Sequence, residues 1–280
     1  MQPGVAPFTQ RTPRVVAARR LRRRRDREAS ARFLAEGPQA VREALTVPGC
    51  VVQLFATADA YHRHADLIAL ASEAGTPLST VTDDGLAALA ETVTPQGVVA
   101  VCRHIDVSLD AAMRRVPRLV AVLADVRDPG NAGTVLRTAD AAGAESVVFA
   151  GEAVDPYNGK AVRASAGSLF HVDVVRAEEP LDVVAALRGG GLKVYAADGH
   201  GDHDLDLLAD SDALGARTAW VFGSEAHGLP AAIGDAADAR VRIPMHGRAE
   251  SLNLAAAAAV CLYASARALR RVSQRGQDDR

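Results

Sequence analysis

The chain has 280 residues, 49% of them hydrophobic, 24% charged and 4% aromatic, with a formal net charge of −2. That balance suits one large or two smaller globular domains with a sizeable core. No apolar run reaches the roughly 18 residues that span a bilayer, and no apolar stretch follows the basic N-terminus, so neither a membrane protein nor a secretory signal is expected. Cys50, Cys102 and Cys261 are too few and too scattered for a disulfide framework or a zinc site, and a reduced, cytoplasmic protein is the expectation. Overall charge alone names no polyanion partner, but its distribution is uneven. Nine arginines and one acid, Asp26, fall between Arg11 and Arg27, so the first 27 residues carry about +8 and the remainder about −10. Arginine forks suit phosphate oxygens, so this stretch reads as a nucleic-acid tether; the plainer alternative is a solvated arm.

In chain order, residues 1–13 read as an unstructured lead, and residues 14–35 as a basic stretch with helical character. A compact α/β unit is expected over 32–104. It has a helix at Pro38–Leu45, strands at Val51–Phe55, Pro77–Val81 and Gly97–Val101, and helices at His64–Ala74 and from Asp83 through Ala90. A junction of 105–117 follows. From Arg118 the pattern becomes that of an open, mostly parallel α/β sheet of six strands: Leu119–Leu123, Ser146–Ala150, His171–Val175, Leu192–Ala197, Ala219–Phe222 and Ala239–Ile243. A helix from Asn131 to Ala142, capped by Gly143, follows the first of these strands. A long alanine-rich helix runs from Leu252 to Leu269. Residues 273–280 form a tail.

Three segments carry polar residues at strand ends. Asp128-Pro129-Gly130-Asn131-Ala132-Gly133 turns into a helix whose N-terminus favours anions, with Arg137 and Asp140 further along it. Read on spacing alone, this is equally a capped helix with an Arg137–Asp140 ion pair. Phe222-Gly223-Ser224-Glu225-Ala226-His227-Gly228-Leu229 puts a carboxylate where open α/β sheets bind ligands, although a plain connecting loop would look similar. In Ile243-Pro244-Met245 through Ser251-Leu252-Asn253, Ser251 could be a helix cap, while Asn253, a poor helix former, needs another reason to stand there. Asp198-Gly199-His200-Gly201-Asp202-His203-Asp204 has the residue types of a metal site, but a solvated loop is the stronger reading and no metal is expected.

Taken in this order, Asn-x-Gly-x-x-x-Arg, Phe-Gly-x-Glu-x-x-Gly-Leu and Ile-Pro-Met with Ser-Leu-Asn closely resemble the SpoU, or TrmH, family of RNA ribose 2′-O-methyltransferases of the SPOUT superfamily. Phe33–Gly37, Glu43–Leu45 and Thr94–Val98 resemble the family's substrate-binding domain. The resemblance implies an α/β fold with a deep trefoil knot in residues 118–272, preceded by a small α/β substrate-binding domain in 32–104 and a basic, partly disordered arm in 1–31. It implies S-adenosylmethionine as cofactor, held through Ala197, Gly223, Ile243, Met245 and Leu252. Asn131, Arg137, Glu225, Ser251 and Asn253 match the family's polar site residues. It further implies a homodimer formed through the knotted domain, and a structured RNA substrate, rRNA before tRNA. A non-catalytic RNA-binding protein on the same scaffold is the main alternative. A dinucleotide oxidoreductase would require G-x-G-x-x-G after the first strand, which Gly130 and Gly133 do not supply.

Overall fold

The computed structural model describes residues 6–278, and the chain divides into two units, 1–105 with 157–170 and 106–156 with 171–280. Residues 1–5 and 279–280, parts of the expected lead and tail, lie outside the described residues.

The first unit begins with α1 (Pro13–Arg20) and α2 (Arg24–Ser30), and continues with β1 (Arg32–Glu36), α3 (Pro38–Thr46), β2 (Val51–Thr57), α4 (Ala58–Arg63), α5 (Ala65–Glu73), β3 (Leu78–Val81), α6 (Asp83–Leu89) and β4 (Val98–Arg103). Its sheet has the order β1-β4-β2-β3, with β4 antiparallel to both neighbours and β2 parallel to β3.

Three expectations change here. The stretch 14–35 is two helices and a strand rather than one helical segment. Arg27 is buried and donates from Nη1 to the carbonyls of Leu21 and Arg22, at 3.0 Å each, which ties down the break between the helices. Ala31 then takes a left-handed conformation (φ 49°) that ends α2, and Phe33 and Ala35 alternate into the core as β1. Nor is the basic segment a separate arm: Val15, Ala18 and Leu21, spaced three apart, are buried with Phe55, Leu86, Leu89 and Val99. The expected disordered lead is also partly structured, since Phe8 donates to the Thr80 carbonyl at 2.8 Å and accepts from the Thr82 amide at 2.9 Å.

The second unit holds α7 (Leu109–Arg114), β5 (Leu119–Ala124), α8 (Pro129–Ala142) and β6 (Ser146–Ala150). The chain then contributes α9 (Gly159–Ala164) to the first unit, where the Tyr157 ring stacks on His104 at 4.1 Å and lies 4.7 Å from Phe33. By its contacts, the segment 157–170 thus groups with the first unit and 106–117 with the second. The second unit resumes with β7 (Asp173–Ala177), α10 (Pro180–Gly189), β8 (Lys193–Ala197), β9 (His203–Asp204), α11 (Leu205–Asp210), β10 (Thr218–Phe222), α12 (Ala231–Ala236), β11 (Ala239–Arg242) and α13 (Leu254–Asp278).

Its sheet is parallel throughout, in the order β7-β6-β5-β10-β8-β11-β9. All six expected strands form. The seventh, β9, lies in the polar loop considered for metal. Asp202 there pairs with Arg240 at 3.0 Å, and Asp204 caps α11 by accepting the Asp206 amide at 2.9 Å. Among the described residues, no group of three or more His, Cys, Asp or Glu side chains is arranged to hold a metal ion.

The valines of the central strands face a core that includes Val120, Val122, Val148, Val194 and Val221, as fully buried parallel strands require. On β10, Trp220 is fully buried and donates from Nε1 to Ser265 Oγ of α13 at 2.9 Å. Ser265→Ala would strand that indole N–H away from water. The expected result is a loss of about 1–3 kcal/mol of stability, read as a lower denaturation midpoint with unchanged denaturant dependence.

Candidate functional site

Open α/β sheets bind ligands outside the carboxyl ends of their strands. Here β8, β10 and β11 end side by side, and the chain leaves each through an irregular loop. Ala197, Gly223, Ile243, Met245 and Leu252 all line one cleft of about 300 Å³ at these ends, as do Glu225, Ser251 and Asn253. The cleft is thus assembled from segments well separated in sequence, and three loops close around it.

Backbone geometry shapes one wall. The Ser224 and Gly228 amides and carbonyls bond reciprocally, at 3.0 and 2.9 Å, and fold the loop back on itself; Gly228 adopts φ 66°. This brings Gly228 so close to Gly223 that a Cβ on Gly223 would overlap the Gly228 carbonyl and stand 2.5 Å from the Leu229 nitrogen. Only glycine fits at position 223.

The polar residues are oriented by a helix terminus. α13 begins at Leu254, so Asn253 is its N-cap, and this answers why asparagine stands there; Ser251 lies two residues earlier and does not cap the helix. Asn253 Oδ1 accepts the Ala255 amide at 2.9 Å. Its Nδ2 must then point the other way, and it donates to Asn131 Oδ1 at 3.1 Å. Asn131 Nδ2 in turn donates to Glu225 Oε1 at 2.9 Å. One cap thereby fixes the orientation of both amides and delivers the chain of bonds to a carboxylate. Each amide nitrogen keeps a second N–H for another acceptor.

Around α8 the details differ from expectation. The helix starts at Pro129, and its N-cap is Asp128, which accepts the Asn131 amide at 2.8 Å. That leaves the Asn131 side chain available to the cluster. Asp140 pairs with His171 at 2.8 Å rather than with Arg137. Arg137 is exposed and forms no ion pair among the described residues. Glu225, Ser251 and Asn253 line the cleft and Asn131 is bonded to two of them, whereas Arg137 neither lines the cleft nor joins these bonds and is left as an uncommitted cation.

Sequence reasoning missed two charged residues of the cleft, Asp198 and Glu250. Asp198 follows directly on the last residue of β8, and that position is the signal that could have found it. With Glu225 they make three carboxylates, and the lining contains no lysine or arginine. A pyrophosphate-bearing ligand would be repelled here, while a cationic one with an apolar, planar portion would be favoured.

Fold and cleft describe an open parallel α/β domain with a negatively charged, partly apolar cleft at the carboxyl edge of its sheet, a site suited to a cationic organic ligand. Residues 118–263 match the SpoU rRNA Methylase family, and residues 12–100 match the MRM3-like substrate binding domain. The chain is 36% identical over 245 residues to the 23S rRNA (guanosine(2553)-2′-O)-methyltransferase RlmP of Bacillus subtilis, a match covering 88% of this chain and 92% of that one. Its fold is similar to the AdoMet-bound rRNA methyltransferase from Sinorhizobium meliloti, with a TM-score of 0.81, 30% identity, and coverage of 94% of this chain and 98% of that one. It is also similar to the SpoU methyltransferase AviRb from Streptomyces viridochromogenes in complex with AdoMet, with a TM-score of 0.79, 32% identity, and coverage of 94% and 100%. The chain belongs to the SpoU rRNA methylase family.

Proposed function

We propose that this chain uses S-adenosylmethionine to methylate a ribose 2′-hydroxyl in 23S rRNA. It is an RNA ribose 2′-O-methyltransferase, and the rRNA reading stands ahead of tRNA because RlmP and the Sinorhizobium enzyme act on rRNA. The observation that carries the catalytic reading is the hydrogen-bond chain Asn253–Asn131–Glu225 at the mouth of the cleft. A scaffold that only held RNA would have no need to orient two amides at a cofactor-sized cleft.

The residues present fit the cofactor. Gly223, Ile243, Met245 and Leu252 offer backbone and apolar walls, and Asp198, Glu225 and Glu250 offer negative charge. S-adenosylmethionine supplies an electrophilic methyl group on a sulfonium, together with an ammonium. Substituting Asp198→Asn is expected to weaken its binding several-fold and to narrow the preference for it over the thioether product, whose sulfur carries no charge. Isothermal titration with both ligands checks this; an unchanged ratio would remove Asp198 from the account.

In-line transfer requires the ribose oxygen to be held on the methyl axis and its proton managed. Asn131 and Asn253 each have an N–H free to hold the ribose. Glu225 anchors Asn131, so its role is positional. The expected result is that Glu225→Gln, which still offers Asn131 an oxygen, keeps most of kcat, whereas Glu225→Ala lowers it by about tenfold or more. Equal losses in the two variants would point instead to a need for the charge. Ser251, on the cleft wall, contacts the bound nucleoside. Arg137 clamps the phosphate next to the target ribose and stabilises the oxyanion left as the hydroxyl proton passes to solvent water.

A homodimer built on a knotted second unit completes this reading. On α13, Ala256, Val260 and Tyr263 recur at helical spacing and are exposed, Val260 by 41% and Tyr263 by 48%, an apolar stripe suited to a second copy. Such an enzyme works in the cytoplasm, where rRNA is assembled. Among the described residues no helix is long and apolar enough to cross a membrane.

A further inference from the structure

Aromatic side chains are scarce in this protein, eleven in all, and eight of them are buried. The three that reach the surface are Phe8, Tyr61 and Tyr263, and two of these, Phe8 and Tyr61, line the same groove of the first unit. The groove has a volume of about 640 Å³, an apolar floor at Ile68 and Leu78, and Arg14 at its edge.

Its parts are fixed before any ligand arrives. Phe8 is pinned by its two backbone bonds to Thr80 and Thr82. Arg14 lies over the Phe8 ring, 5.9 Å from its centre, and has no carboxylate partner among the described residues. Arg11, Arg19, Arg20 and Arg23 are likewise exposed and free of ion pairs among the described residues, in contrast to Arg24, which is held by Glu28 at 2.7 Å. Thr76, only 8% exposed, lines the groove with a hydroxyl that bonds to nothing among the described residues. That hydroxyl opens to the groove, where the polar edge of a ligand can reach it.

We propose that this groove is a nucleobase subsite, in which an unpaired base of the RNA substrate stacks against Phe8 and Tyr61. Its edge meets the Thr76 hydroxyl, and its phosphate lies against Arg14 and the free arginines beyond. An aromatic platform beside unpaired cations is the arrangement that single-stranded nucleic acid selects, because every base has a stacking face and every nucleotide a charge. A helical duplex keeps its bases stacked on each other and cannot offer one to the groove. The subsite therefore selects a loop or bulge. This rests on the RNA-methyltransferase reading for the identity of the ligand, though the site lies wholly within the first unit.

The test uses the full chain and two labelled probes, a short single-stranded RNA of mixed sequence and the same strand in a duplex, with affinity read by fluorescence anisotropy. Wild type is expected to bind the single strand more tightly. The double variant Phe8→Leu/Tyr61→Leu should lose about tenfold on the single strand and little on the duplex, while Tyr61→Trp keeps the affinity. Unchanged S-adenosylmethionine binding and an unchanged denaturation midpoint show that the variants are folded. Equal single-strand affinity of wild type and double variant overturns the subsite, as does an equal loss in Tyr61→Trp and Tyr61→Leu. In methylation assays, an unchanged KM for 23S rRNA in the double variant sinks the subsite and leaves the enzyme reading intact. A retained single-strand preference with no methylation of any rRNA does the opposite.

Discussion

Arg137→Ala is expected to lower kcat on the RNA substrate by about 100-fold or more while S-adenosylmethionine binding stays near normal. Arg137 sits on α8, six residues past Asn131, exposed and without an ion pair among the described residues, even though Asp140 is only one turn away. Asp140 is instead engaged by His171. An arginine without an ion pair has its fork available for a phosphate, and the ribose oxygen carries negative charge as its proton leaves, before that charge is spent in the bond to the methyl group. Both demands are met by a fixed cation that need not lose a proton. Arg137→Lys should recover only part of the loss, because an ammonium cannot grip a phosphate with two parallel bonds. Single-turnover kinetics at saturating cofactor separate this chemistry from binding; near-normal turnover in the alanine variant would remove Arg137 from the mechanism.

The second large effect is expected at Gly223. Substitution by alanine would place a methyl group into the Gly228 carbonyl and against the Leu229 nitrogen, and backbone on both sides leaves nothing flexible to yield. The Ser224–Gly228 loop must then open, carrying Glu225 with it. Loss of measurable S-adenosylmethionine binding is the expected result, with thermal unfolding of the rest of the chain little changed, since Val221 and Phe222 remain packed in the sheet. Binding within a few-fold of wild type would mean that the loop is not the wall of the cofactor cleft.

Much of the second unit was legible because a buried parallel strand is a simple signal. Leu119–Leu123 and Ala219–Phe222 are unbroken apolar runs that can lie only in the middle of such a sheet. β9 was illegible for the opposite reason: two residues, His203 and Asp204, carry no periodicity, and only pairing with β11 makes them a strand. The first unit was harder. Arginines on the outer face of α1 outweigh Val15, Ala18 and Leu21 in any compositional reading, although those three residues anchor the segment. The motifs located the cleft, but not how it is held together. That Asn253 caps α13, and so turns its own amide toward Asn131, follows from where the helix begins, two residues later than the expected start at Leu252. Asp198 escaped notice as a cleft residue because it belonged to a loop rich in metal-binding residue types.

These pieces fit one division of labour. In the proposed mechanism the second unit orients a ribose at a negatively charged cleft, and the first presents a basic face and an aromatic groove to RNA. The most direct test incubates the purified full chain with unmodified 23S rRNA and S-adenosylmethionine, then maps modification by alkaline hydrolysis and mass spectrometry of the nucleosides. The account predicts one new site where the backbone resists alkaline cleavage, because its 2′-oxygen carries the methyl group. Methyl groups found only on bases, or only on tRNA supplied in the same reaction, would contradict it.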